Sequence, residues 1–139
     1  MDAWPRWRQL LPHVLAACAE CPDLVEPSAT SWLLDRAGIY LQSRGEPAAA
    51  RPLLDRALTI TEAAYGPEHP AVATRLNNLA LVLGDLGEPA AAQPLLDRAL
   101  AITEAAYGPE HPAVAISLGN LAAVLRLSLI HISEPTRPY

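Results

Sequence analysis

The sequence predicts an all-α solenoid, and three observations lead there. Residues 45–83 and 87–125 align without a gap and agree at 33 of 39 positions, which sets a period of 42 residues. Units repeated at that spacing bury their apolar faces against neighbouring units rather than in one shared core. Within each unit, prolines and glycines fall where helices begin and end, and the apolar residues between them recur at helical spacing.

Each complete unit reads as two helices. Pro70 and Pro112 suit a first helical position, where the missing N–H costs nothing, and His69 and His111 stand at the cap site before them. The first helix then runs through "AVATRLNNLALVL" and stops near Gly84 and Gly87. The second opens at Pro89, with the Glu88 charge favouring its positive end. It ends at "AAYGPEHP", whose Gly108 and Pro109 cannot continue it. Pro94 lies inside that second helix and should bend it slightly. Upstream, "SATSWLLDRAGIYLQSRG" keeps Gly38, Leu41 and Gly45 in register and forms a divergent first unit. Residues 1–27 form an N-terminal helix on the array, 28–126 the repeats, and 127–139 a tail that breaks the pattern.

Turning 100° per residue assigns the faces. With Thr74 at zero, Val72, Leu76, Leu79, Ala80 and Leu83 fall between about 140° and 240° and form the buried side. In the second helix Ala92, Leu95, Leu96, Ala99, Ile102, Thr103 and Ala106 share a broad face, while Asp97, Arg98 and Glu104 point away.

Composition bounds the functional classes. At 139 residues the chain has room for one domain, and Phe is absent, so the core is built from Ala, Leu and Val. A net charge of −5 provides no basic stripe for nucleic acid and no polybasic membrane anchor. No apolar run approaches the roughly 18 residues of a membrane span, and "MDAWPRWRQL" is a poor export signal. Two cysteines in an acidic chain suit reduced thiols, which together place the protein in a cytoplasm.

Chemistry is thin. His69 and His111 recur at the repeat period, but adjacent units stack roughly 10 Å apart, too far for one ion, so a cap role is preferred. Cys18 and Cys21 form a C-x-x-C without the second pair that a structural zinc requires, and read as small core residues. Asp55, Glu62, Asp97 and Glu104 lie on solvated faces, unpaired for acid–base work, and neither a phosphate loop nor a nucleophile elbow occurs. Neither enzymatic activity nor a cofactor or metal is expected.

"LNNLALVLGDLGEPAAAQPLLDRALAI" resembles the tetratricopeptide repeat, with Ala80, Leu83, Gly87, Ala92 and Ala99 on its signature positions. The long period and the "YGPEHPAVA" connector look like the kinesin light-chain variety. The resemblance covers residues 28–126. It implies an all-α, right-handed solenoid of helix-turn-helix repeats, about two and a half units here, that holds a partner protein or extended peptide in a concave groove lined by first helices.

Differences between the two copies bear on that groove. They are Arg51/Gln93, Thr59/Ala101, Thr74/Ile116, Arg75/Ser117, Asn77/Gly119 and Leu81/Ala123, and four of the six fall within eight residues of the first helix. Thr74, Asn77 and Leu81 lie within about 60° of one another, opposite the buried side. Drift on an exposed surface would give the same pattern. Asn78 and Asn120 share a register about 40° from this stripe, and an amide can both donate to and accept from a peptide backbone. Arg36 holds that register in the first unit and could meet a carboxylate. The candidate groove is therefore Arg36, Asn78 and Asn120 as a ladder, with Thr74, Asn77, Leu81 and Ile116 selecting side chains. Hydrogen bonding between helices is the competing role for the asparagines.

Both ends depart from the repeat. "LSLIHISEPTR" resembles the translation of a sequencing-library adapter, so residues 127–139 are set aside as artefactual. "WPRWRQLLPHVLAAC" resembles the segment joining the nucleotide-binding and winged-helix region of bacterial signalling ATPases to their repeat arms. Two functions stay open on that footing, a free-standing peptide-binding adaptor and the regulatory arm of such an ATPase. In either, the uncovered last helix leaves self-association through its apolar face as a possibility.

Overall fold

The structure, a computed structural model, describes residues 4–20 and 27–133; Cys21, the side chain of Cys18 and the tail from residue 134 lie outside it. Six helices account for the described architecture: α1 (Trp4–Glu20), α2 (Pro27–Ser43), α3 (Pro47–Tyr65), α4 (Pro70–Asp85), α5 (Pro89–Tyr107) and α6 (Pro112–Ser133). Each packs chiefly on its neighbours in sequence, and α4 also touches α2 and α6, so the first helices of successive units stand in a row. This is the expected all-α solenoid.

Helix punctuation follows the local chemistry. His69 caps α4 by accepting the Ala71 N–H at Nδ1, 3.1 Å away, with Pro70 next in sequence; His111 does the same for Ala113 at 3.1 Å. The recurring histidines thus spend a ring nitrogen on a helix end. Tyr65 and Tyr107 stack on these rings at centroid distances of 4.7 and 4.3 Å. The Glu88 side chain makes no cap bond and pairs instead with Arg51 at 2.7 Å.

First helices end alike. Gly45 and Gly87 both sit at φ +77, and the next residue's N–H reaches back five positions, Glu46 to the Leu41 carbonyl and Glu88 to Leu83. That left-handed turn favours glycine. One period later the position is Leu129, where a side chain disfavours the turn, and α6 continues to Ser133. Helix therefore runs on past Arg126 into the first residues of the tail. The expectation that nothing reaches membrane-span length is overturned: Pro112–Ile130 is long and apolar enough, with a mean hydropathy of 1.9. Ser117, Gly119, Asn120 and Arg126 interrupt the apolar run and still leave that average.

The central core joins Leu54, Leu79, Ala80, Val82, Leu83, Ala92, Leu96 and Val124 across α3 to α6. Small residues let these helices close up. At Gly38 a Cβ would lie 2.6 Å from the Leu54 side chain, so α2 meets α3 too closely there for even a methyl group.

All five residues assigned to the buried side of α4 are buried. The buried arc is wider than the wheel implied, because Ala73, Asn77 and Val82 are buried too. The wheel assumed one covered side, whereas α4 has helices before, after and on both flanks of its row. In α5 the broad face holds except at Ala106, which is exposed in the last turn.

Candidate functional site

Three successive first helices supply the candidate residues, and the 42-residue period places equivalent positions side by side. Thr74, Asn77, Asn78 and Leu81 from α4, with Ile116 and Asn120 from α6, line one groove of about 340 Å³; Thr103 and Ala113 complete it. Six of the seven residues chosen from the sequence therefore meet. Arg36 is not among the lining residues. Its guanidinium sits over the Trp32 ring, 5.5 Å from the centroid, so the ladder reduces to Asn78 and Asn120 within the groove.

The two adjacent asparagines do different work. Asn78 donates to both carboxylate oxygens of Asp35 on α2, at 3.0 and 3.2 Å. This is the helix-to-helix role weighed as the alternative. Asn120 makes no such tie among the described residues and stands half-buried at the groove wall.

Asn77 departs from its expected place on the open stripe. It is only 8% exposed, and its amide nitrogen donates to Ser117 Oγ on α6 at 3.2 Å. Its Oδ1 is buried and accepts no hydrogen bond among the described residues. The wheel missed this because proximity of α6 closes the α4 flank on that side.

A polar cluster underlies the α2 side of the groove. Asp35 is held by Arg75 at 3.1 Å as well as by Asn78, and the Arg75 Nε donates to Ser31 Oγ at 3.2 Å. Ser31 donates to the Ala57 carbonyl at 3.0 Å and touches the Thr61 hydroxyl. One period on, Ala73 replaces Ser31, and Thr103, the counterpart of Thr61, turns its hydroxyl to the Ala99 carbonyl at 2.9 Å. Thr103 is thereby left at the groove floor without a side-chain partner from α4.

Sequence reasoning passed over Thr103, which was filed with the apolar face of its helix. It also passed over Trp32, about half exposed and in register with Thr74 and Ile116. The repeat period was sufficient signal for Trp32; only packing shows Thr103 at the floor. The lining holds no carboxylate and no cation. Its chemistry is apolar contact plus neutral hydrogen bonding, suited to holding a chain segment rather than to transforming one.

No curated protein matches the chain. A family model described as tetratricopeptide repeat matches residues 28–105 and again 76–128. Such repeats generally mediate protein–protein interaction and are generally non-enzymatic scaffolds. With six consecutively packed helices and matches spanning well over half its length, this chain belongs to the tetratricopeptide-repeat family.

Proposed function

We propose that this chain is a peptide-binding scaffold whose groove, between α4 and α6, receives an extended segment of a partner protein. One observation carries the reading. Thr74 with its counterpart Ile116, Asn77 and Leu81 stand where near-identical copies differ, and these four residues converge on one groove. Four of the eight lining residues stand at positions where the copies differ, as expected where the lining selects a ligand. Asn120 supplies an amide free to pair with a peptide backbone, and Leu81 and Ile116 supply apolar contact. In this reading Asn78 supports the groove wall through Asp35 and offers its carbonyl oxygen to the ligand.

The test is peptide selection by phage display on the full chain, followed by Leu81→Glu and Ile116→Glu. Both side chains line the groove and neither lies fully in the core. Binding should fall steeply in both variants with melting nearly unchanged. Selected peptides that bind the variants normally would place recognition elsewhere.

The regulatory-arm reading of the same scaffold draws on the resemblance of residues 4–18 to the linker of bacterial signalling ATPases. Helix α1, which carries this segment, packs on α2 as a lead-in to the array. An in-frame phosphate loop in the coding sequence upstream would support that reading over the adaptor. The kinesin light-chain likeness bears on the connector "YGPEHPAVA" and leaves the groove assignment as it stands.

A further inference from the structure

We infer that copies of this chain join head to tail, with α1 of one copy seated on the open face of α6 of another.

Helix α1 carries the pattern of a second helix. Leu10, Leu11, Val14 and Ala17 stand 43 residues before Leu53, Leu54, Ala57 and Ile60 of α3, one more than the repeat period. A second helix in this array lies between two first helices, that of its own unit and that of the following one. Toward its own unit α3 presents Leu53 and Ile60, which share a core with Leu34 of α2. In the same way α5 presents Leu95 and Ile102, which share a core with Leu76 of α4. Toward the following unit α1 behaves as they do: its Leu11 and Val14 pack into the cores that hold Leu41 and Leu34 of α2. Its other side is open. Leu10, in the place of Leu53, is 51% exposed, and Ala17, in the place of Ile60, is exposed as well.

Helix α6 has the opposite deficit. It lies against α5 and α4, while Leu118 and Leu125 face outward. Among the described residues, then, a second helix lacks a first helix at one end of the array, and a first helix lacks a second helix at the other. Units of a solenoid bury their apolar faces only against neighbouring units. The equivalent stripe of α4, Leu76 to Leu83, is covered by a second helix, α5, which makes α1 the fitting occupant rather than another α6. Two different surfaces that complement each other pair heterologously, and repeating the contact extends a row instead of closing a dimer.

Charge follows the same register. Glu62 of α3 meets Arg98 of α5 at 3.0 Å. At the junction Glu104 takes the place of Glu62, and His13 of the next copy takes that of Arg98; both are exposed. Trp7 stands where α3 and α5 carry the buried Ala50 and Ala92, so α1 seats less deeply than they do and the contact is weaker.

The test is sedimentation velocity on the full chain and on two variants, each blocked at one end: Leu10→Glu with Ala17→Glu, and Leu118→Glu with Leu125→Glu. All four side chains are exposed, and melting curves check that the fold is kept. Wild type should form pairs and, as concentration rises, longer rows. Each variant alone should sediment as single chains. Their equimolar mixture should form pairs and nothing larger, because one chain still offers α6 and the other still offers α1. A second measurement leaves the apolar residues untouched. His13→Glu sets a carboxylate against Glu104 and should weaken assembly about two- to fivefold, and adding Glu104→Arg should restore it. An α1 variant that still pairs with itself, a mixture or a wild type that stays as single chains, or a double charge variant no stronger than His13→Glu overturns the inference.

Discussion

Arg75 on α4 reaches back to Asp35 on α2 and holds its carboxylate at 3.1 Å, with side chains only 13% and 4% exposed. The bond ties the first unit to the second. Between the second and third units the corresponding place is taken by a neutral contact, Asn77 to Ser117. The two successive interfaces are thus held by different chemistry, and the changes from Asp35 to Asn77 and from Arg75 to Ser117 one period on are its source.

Removing one partner of that pair strands a buried charge. Arg75→Ala should destabilise the chain by about 3–5 kcal/mol, whereas Arg75→Met with Asp35→Leu should recover most of the loss, because burying the pair costs desolvation that apolar residues avoid. Urea unfolding of the two variants checks this. Equal stability of Arg75→Ala and wild type would show that the pair contributes nothing.

The asparagines should separate in the same assay. Asn78→Ala removes a bond to a buried carboxylate and should cost about 1.5–3 kcal/mol. Asn120→Ala removes no tie between helices and should leave the melting temperature nearly unchanged while weakening peptide binding by about 0.5–1.5 kcal/mol. Matching stability losses in both would make the register structural throughout.

Glycine substitutions should change sign with position. Gly38→Ala forces a Cβ to within 2.6 Å of Leu54 and should destabilise by about 1–3 kcal/mol through overpacking. Its penalty should vanish in a Leu54→Ala background. Gly84→Ala meets nothing closer than Leu127 at 3.7 Å and should stabilise α4 by about 0.5–1 kcal/mol. Thermal melts of both variants decide it, and a stabilising Gly38→Ala would contradict the close approach.

The outer face of α6 should drive self-association. Leu118 and Leu125 are 48% and 39% exposed, although their counterparts Leu76 and Leu83 are buried beneath α5. Val114, nearer the start of α6, is only 2% exposed. Fully burying a leucine contributes about 1.5–3 kcal/mol, and burying the exposed part of this stripe against a second copy favours weak pairing that grows with concentration. Sedimentation should show concentration-dependent dimers that Leu118→Glu with Leu125→Glu abolishes. A wild-type chain that stays monomeric at every concentration would refute this.

The sequence by itself determined the fold, because everything that punctuates it is local. A proline at a first helical position, a histidine that caps, and a glycine that permits a left-handed turn act within a few residues, and the period copies them. It also determined which residues meet, since a fixed period places Thr74 beside Ile116 and Asn78 beside Asn120 on adjacent helices. What each side chain does there was decided by tertiary structure. A helical wheel knows the angle of Asn77 but not that α6 closes that flank, and it cannot see that Asn78 faces a carboxylate 43 residues earlier in the chain. Hydrogen bonds between side chains form over about 3 Å. The period sets neighbours to within a helix width, and only the packing of one helix against the next fixes the remaining ångströms.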